Sequence, residues 1–143
     1  MSRLRLRAEH SARIHAHLCD AYPEEGCGVL LGRDADEARA VERVVPFDNR
    51  REDERHHRYL IAPEQLLLAE QEGREAGLDL VGFFHSHPDH PASPSAFDLE
   101  HAWPYYSYLI VSVEGGRVAD ARSWRLAADR SRFEPETLEE MPA

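Results

Sequence analysis

Residues 80–98 read LVGFFHSHPDHPASPSAFD. Their first part, Leu80 to His85, is a short apolar run that is typical of a buried strand. His85 and His87 stand two positions apart at the end of this run, so the alternation of a strand places both imidazoles on one face of the sheet. After a proline-rich loop, Ser95 to His101 suits a short helix with a serine N-cap. The segment therefore predicts a strand, a stiff loop and a helix.

His85, His87 and Asp98 form a candidate metal site in this segment. Zinc takes histidine nitrogen and aspartate oxygen in a tetrahedron, and a catalytic site leaves the fourth position for water. Two histidines and one carboxylate are therefore the right ligand count for a metal-dependent hydrolase. A structural zinc site is more often closed by cysteines, and neither Cys19 nor Cys27 has a Cys-x-x-Cys partner.

A rival ligand set replaces Asp98 by His90. Histidines at positions 85, 87 and 90 are also able to bind one metal ion, but Asp98 fits the open-site pattern better. The chain has nine histidines. A lone histidine is usually a surface residue or a satisfied core residue, and we expect this of His10, His15, His17, His56, His57 and His101.

The composition limits the partners of the protein. The chain has 143 residues, 17 basic and 27 acidic, and a formal charge of -10. This acidic balance argues against a nucleic-acid backbone or an anionic membrane as the main partner. Residues 1–16 lack the apolar segment of a signal peptide, and the longest nearly apolar run, Tyr108 to Val113, is too short to cross a bilayer. We expect a soluble, cytoplasmic protein.

The order of predicted elements is that of a single mixed β-sheet flanked by helices, an α/β fold. We expect one domain over residues 1–133 and an acidic, frayed tail over residues 134–143. The predicted helices are Ala8 to Ala21, Pro63 to Ala76 and Ser95 to His101. The predicted strands are Leu4 to Leu6, Glu25 to Gly32, Ala40 to Pro46, Tyr59 to Ile61, Leu80 to His85, Tyr106 to Val113 and Arg117 to Leu126.

Residues 22–32, YPEEGCGVLLG, together with His85-Ser86-His87-Pro88, Ser95 and Asp98, resemble the JAMM, or MPN-plus, zinc metallopeptidases. The pattern of that family is an upstream Glu, then His-Ser/Thr-His-Pro, a fixed gap, and Ser-x-x-Asp. The similarity extends from the first helix to about Val113, and its compact form is most similar to the bacterial branch. The resemblance implies the JAMM/MPN fold, which is similar to that of cytidine deaminases, although the zinc signature of the deaminases is absent here.

The resemblance also implies a role for each site residue. One zinc ion per chain is held by His85, His87 and Asp98, and Glu25 carries a proton from water to the leaving amine. Ser95 donates a hydrogen bond to the developing oxyanion. A purely structural role for Ser95, as the N-cap of the helix that carries Asp98, is the alternative.

The family's acid lies three residues before the glycine of its apolar strand, which selects Glu25, upstream of Gly28, over Glu24. Adjacent strand residues face opposite ways, so only one of the two carboxylates can face the metal. We expect Glu24 to be a solvated neighbour and Cys27 to be a small buried thiol. Ser86 is expected to face away from the ligands and to pack or form a supporting hydrogen bond.

Members of the family hydrolyse amide or isopeptide bonds after the C-terminal Gly-Gly of ubiquitin-like proteins. In bacteria the resemblance implies a ubiquitin-like sulfur-carrier protein, or its conjugate with an amino acid such as cysteine, as the partner. We expect its extended tail to lie along a sheet edge as an added strand. A non-catalytic MPN scaffold and a metallopeptidase that acts on other peptides are the alternatives. The loop of residues 48–58 is predicted to be solvated; the alternative is that it holds substrate through Asn49, Arg50, Arg51, Arg55 and Arg58.

Overall fold

The structure is a computed structural model, and it describes residues 3–35 and 38–142. The described residues form seven strands and three helices. The strands are β1 (Arg3–Arg7), β2 (Cys27–Ala35), β3 (Ala38–Phe47), β4 (Asp79–Pro88), β5 (Ser107–Glu114), β6 (Arg117–Leu126) and β7 (Phe133–Met141). The helices are α1 (Ala8–Ala21), α2 (Pro63–Ala76) and α3 (Ala96–His101). No helix among the described residues is long and apolar enough to cross a membrane.

The seven strands form one mixed sheet in the order β1-β3-β2-β4-β5-β6-β7. Strand β1 runs parallel to both β3 and β7, which closes the sheet into a barrel. Strands β4 and β5 are also parallel, and the remaining neighbours are antiparallel. The predicted mixed α/β sheet is confirmed, and its closure is an addition that the sequence pattern does not contain.

Strand β2 is buried on both faces, which explains its continuous apolar run. Leu30 packs in a core cluster with Ile14 and Leu18 of α1. Val29 and Leu31, which face the other way, pack with Ala69 of α2 in a second cluster. The helices thus cover opposite faces of the strand that follows Glu25, and they fix the end of the sheet at which the candidate site lies.

Turn chemistry ends the elements where the sequence predicts. Gly77 follows α2 with φ of 70°, the left-handed conformation that glycine adopts at helix ends. Gly115 and Gly116 both have positive φ in the turn between β5 and β6. Ser95 is the N-cap of α3, and its side-chain oxygen accepts a hydrogen bond from the Asp98 N–H.

Two predictions about local structure are wrong. The segment predicted as a frayed tail contains β7, which pairs with β1 in a parallel ladder. Its carboxylates do not all face solvent, because Glu139 forms ion pairs across this ladder with Arg3 at 3.3 Å and with Arg5 at 2.9 Å. Residue 143 lies outside the described residues. Tyr59 to Ile61 is not a strand, because the Leu60 N–H donates to the Asn49 side chain and the segment closes a loop.

Candidate metal centre

The end of β4 and the start of α3 bring three metal-binding side chains together. The Nε2 atoms of His85 and His87 are 3.2 Å apart. The two carboxylate oxygens of Asp98 lie 3.3 Å from His85 Nε2 and 3.1 Å from His87 Nε2. All three side chains are buried, with less than a tenth of each exposed. The alternation of β4 therefore places both imidazoles on one face, as predicted.

These separations fit one divalent metal ion. Bonds of 2.0–2.1 Å in a tetrahedron give ligand-to-ligand distances of about 3.3 Å, close to the separations of the three side chains. Two imidazole nitrogens and one carboxylate oxygen are a donor set that zinc accepts. Among the described residues, the metal-binding atoms that come within 4.8 Å of one another belong to His85, His87 and Asp98. The side chain of His90, the rival third ligand, is exposed and lies outside this group.

Hydrogen bonds orient the imidazole of His87 toward the centre. Its Nδ1 is 2.9 Å from the Pro91 carbonyl oxygen, and because a carbonyl only accepts, Nδ1 carries the proton. The Nε2 lone pair then faces Asp98 and His85, an arrangement that needs a proton or a metal ion between the groups. Burial lowers the pKa of His87, but its hydrogen bond to Asp98 reverses the effect and the pKa is raised.

The Asp98 carboxylate is held by the start of its own helix. Its Oδ2 accepts a hydrogen bond of 2.9 Å from the Ser95 N–H, and the Ser95 Oγ accepts one of 3.0 Å from the Asp98 N–H. Burial raises the pKa of Asp98, but His85, His87 and the Ser95 N–H outweigh burial and lower it. The carboxylate is therefore ionised and preoriented as a ligand.

Glu25 is a buried carboxyl group at the same end of the sheet. Its residue is only 4% exposed, and Cys27, two positions on, pairs with His85 in the β2–β4 ladder. Burial raises the pKa of Glu25 to about 8; the charge of His87 opposes this shift and that of Asp98 adds to it. Glu24 is half-buried, whereas Glu25 faces the interior. The two adjacent carboxylates therefore differ in burial, although both precede β2 and do not follow the alternation of a strand.

Ser86 and Gly28 hold the strand that follows Glu25 against β4. The Ser86 Oγ accepts a hydrogen bond of 2.8 Å from the Gly26 N–H, and the Ser86 N–H donates to the Gly26 carbonyl at 3.1 Å. A Cβ atom at Gly28 would lie 2.3 Å from the ring of Phe84 and 2.6 Å from a backbone oxygen, so a larger residue would separate the strands. Both residues hold the segment that follows Glu25 against the strand that carries the imidazoles.

Cys27 is a buried thiol, as predicted. Burial raises the pKa of Cys27 to about 12, and the carboxylates of Glu25 and Asp48 add to the shift. The thiol therefore stays protonated at neutral pH and is neither a ligand nor a nucleophile.

A cavity of about 380 Å³ opens beside His85 and Asp98. Tyr59 forms part of its wall and stacks on His85 with ring centroids 4.6 Å apart. The other aromatic residues that line it are Phe83, Phe97, Trp103, Tyr108 and Phe133. Local sequence patterns do not predict this wall, because its members come from separate segments. The local signal for this wall in the sequence is Phe97, an aromatic residue that lies between Ser95 and Asp98.

The loop of residues 48–58, called the arginine-bearing loop from here on, lies against the site. The guanidinium groups of Arg51 and Arg58 lie 5.6 Å and 4.5 Å from the ring centre of Phe97. The Arg55 carbonyl accepts a hydrogen bond from the Glu25 N–H, and the Asn49 side chain donates to the Glu25 carbonyl. Arg50 is exposed. The loop is therefore solvated on one side, as predicted, and bound to the site on the other.

Residues 7–127 match the family of prokaryotic homologs of the JAB domain. The chain belongs to this family. It is 41% identical over 123 residues to a desampylase of Haloferax volcanii, a match that covers 82% of this chain and 86% of that protein. It is 30% identical to a CysO-cysteine peptidase of Mycobacterium tuberculosis, with 91% of this chain and 87% of that protein covered. A probable TtuB-protein conjugate cleaving protease of Thermus thermophilus is 38% identical, with 71% and 65% covered. The family and these relatives make the chain a hydrolase of the peptidase class.

Solved structures agree with this fold. A protein of Desulfitobacterium hafniense superposes with a TM-score of 0.85 at 33% identity, covering 98% of this chain and 94% of that one. A JAB1/MPN domain protein of Archaeoglobus fulgidus superposes with a TM-score of 0.59 at 17% identity, with 99% of both chains covered. The predicted JAMM/MPN architecture is confirmed.

The burial of Glu25 predicts how the stability of the metal-free protein changes with pH. The pKa rises from 4.5 to about 8 on folding, so its stabilising contribution is complete below pH 4.5 and is lost as pH rises through 8. Glu25→Gln removes this loss. We expect the variant to gain about 2 kcal/mol or more relative to the wild type between pH 4.5 and pH 9, measured by urea unfolding in EDTA. If the free energies of unfolding of variant and wild type differ by the same amount at every pH in that range, the Glu25 carboxyl group is solvated.

Proposed function

We propose that this chain is a zinc-dependent metallopeptidase that hydrolyses the amide or isopeptide bond after the C-terminal Gly-Gly of a ubiquitin-like sulfur-carrier protein. The observation that carries the proposal is the meeting of His85, His87 and Asp98, two of which interact electrostatically with the buried carboxyl group of Glu25. The printed names of the relatives support the substrate class, because one refers to a TtuB-protein conjugate and another to CysO-cysteine. The cytoplasmic location and the lack of nucleic-acid and membrane partners stay predictions from the sequence.

His85, His87 and Asp98 would hold one zinc ion per chain. A zinc ion held by these residues would supply a Lewis acid that makes water acidic enough to act as a nucleophile near neutral pH. Glu25 accepts the proton of the attacking water and returns it to the leaving amine. Burial raises the pKa of Glu25 in the metal-free chain, and the positive charge of a zinc ion beside it would lower that pKa again, so that the carboxylate would accept a proton near neutral pH.

The Ser95 hydroxyl serves the helix and the reaction through different parts of one group. Its oxygen accepts the Asp98 N–H at 3.0 Å, which leaves the hydroxyl proton free to donate. That proton is directed to the oxyanion that forms on the scissile carbonyl. The N-cap role and the catalytic role of Ser95 are therefore compatible in a single rotamer.

The ligand set predicts the metal content of single variants. Purified wild-type protein is expected to carry about one zinc ion per chain, measured by mass spectrometry of the metal and by competition with a chelator. His87→Ala and Asp98→Ala should each weaken zinc binding by more than about 100-fold. His90→Ala is the matched control and should bind zinc as the wild type does. Loss of zinc in His90→Ala with retention in Asp98→Ala would establish the rival ligand set.

The two adjacent glutamates provide a matched test of the activity. A conjugate of the sulfur carrier from the same genome, attached through its C-terminal Gly-Gly to cysteine or to a lysine-containing peptide, is incubated with zinc-loaded protein. Intact mass should show release of the carrier ending at Gly-Gly. Glu25→Gln should lower turnover by about 100-fold or more with zinc still bound, whereas Glu24→Gln should cleave normally. An uncleaved conjugate with zinc present would leave the scaffold or another peptide substrate as the function.

Substitution of Ser95 separates its two roles. Ser95→Ala removes both the cap and the hydroxyl donor, and should lower the free energy of unfolding by about 1 kcal/mol. Ser95→Gly keeps most of the capping free energy, within about 0.3 kcal/mol, but has no donor. Both variants should lose about 100-fold in kcat, measured on the same conjugate. Near wild-type activity in Ser95→Gly would mean that Ser95 acts only as the N-cap.

A further inference from the structure

The side-chain amide of Asn49 is bonded at four points. Its Oδ1 accepts hydrogen bonds from the N–H groups of Arg51 and Leu60, both at 3.0 Å. Its Nδ2 donates to the carbonyl oxygens of Arg58, at 2.9 Å, and Glu25, at 3.0 Å. One half-buried side chain thus uses every donor and acceptor that an amide offers.

Three of these bonds close the arginine-bearing loop. They join Asn49 to both arms of the loop, and the Arg50 N–H adds a backbone bond of 2.9 Å to the Leu60 carbonyl. The fourth bond leaves the loop and reaches the backbone of Glu25. The Glu25 N–H in turn donates to the Arg55 carbonyl at 2.6 Å. Both backbone groups of Glu25 are therefore bound to this loop.

Glu25 depends on such bonds because it precedes β2 rather than lying within the β2–β4 ladder, which begins at the pair of Cys27 and His85. Its carboxyl group is buried, and burial favours any movement that would return the group to water. The Asn49 amide and the Arg55 carbonyl oppose that movement.

We propose that Asn49 is a positioning residue for Glu25. Its Nδ2 holds the carbonyl of Glu25 and so fixes the direction of the carboxyl group, while its Oδ1 closes the loop. The inference rests on the proposed role of Glu25 as the proton carrier. It also connects the site to the cavity, because Tyr59, which directly follows this loop, stacks on His85. The position of Glu25 is thereby linked to the loop that forms the cavity wall.

Asn49→Asp is an isosteric change that tests the separate roles of Nδ2 and Oδ1. The carboxylate still accepts from Arg51 and Leu60 but cannot donate, so the bonds to Glu25 and Arg58 are lost. We expect kcat to fall by about 10- to 100-fold, with KM changed by less than about threefold and zinc content unchanged. The Glu25 amide should exchange hydrogen faster, as measured by exchange in deuterated buffer, because the backbone of Glu25 is released from the loop.

Gln65→Glu is the matched control. The Gln65 amide accepts from the Ala62 N–H at 2.7 Å and donates to the Asp48 carbonyl at 3.1 Å, next to Asn49 but without a bond to Glu25. Its conversion to a carboxylate adds the same charge and removes a donor from the same loop boundary. We expect its kcat and the exchange rate of the Glu25 amide to stay within about threefold of the wild type. Equal losses in both variants would overturn the proposal.

Asn49→Ala removes the amide without adding charge, and it should also lower kcat and speed exchange at Glu25. If both Asn49 variants are unfolded at the assay temperature by circular dichroism, Asn49 has a general structural role and the proposal is wrong. If the wild type does not cleave the conjugate, the proposed function fails, and hydrogen exchange still decides the role of Asn49. Unchanged exchange at Glu25 in folded Asn49→Asp would refute it, and faster exchange in both Asn49 variants but not in Gln65→Glu would support it.

Discussion

The approach of two imidazole nitrogens and a carboxylate is unfavourable unless positive charge lies between them. In this protein the Nε2 atoms of His85 and His87 are 3.2 Å apart and both face Asp98. Because His87 carries its proton on Nδ1, toward Pro91, its lone pair faces the centre. A proton or a metal ion is needed there, and burial makes that need stronger because water is excluded. The rest of the structure keeps these atoms together against their repulsion.

The sheet supplies most of that restraint. Strand β4 is bonded to β2 on one side and to β5 on the other, and α1 and α2 cover the two faces of β2. The imidazoles therefore sit on a strand that is hydrogen-bonded on both sides. Asp98 is less constrained by the sheet, because it lies on the six-residue helix α3. Its capping box with Ser95 provides the missing rigidity, because the two residues exchange hydrogen bonds between side chain and backbone.

Local patterns predicted the parts of the site that depend on local geometry. The placement of both imidazoles on one face follows from strand alternation, and the serine cap of α3 follows from the capping preference. Local patterns do not predict the contact of Asn49 with Glu25 or that of Tyr59 with His85, because each contact joins segments far apart in the sequence. The prediction of a frayed tail is wrong for a related reason. Its acidic residues suggested solvation, but the partners that neutralise Glu139 are arginines at the other end of the chain.

The closed sheet also limits how an extended substrate tail can reach the centre. The position expected for the tail is that of a strand added at a sheet edge. At the site, however, His85 is already paired with Cys27 on one side and Ile110 on the other, and His87 is paired with Ser112. A strand added beside His85 would have to displace β2 or β5, and one added on the β5 side of His87 would have to displace β5, at the loss of their ladder hydrogen bonds. The cavity wall formed by Tyr59 and the other aromatic side chains offers a route that breaks none of them. The tail is therefore better accommodated across the end of the sheet than along its edge, and there it meets the loop that Asn49 binds to Glu25.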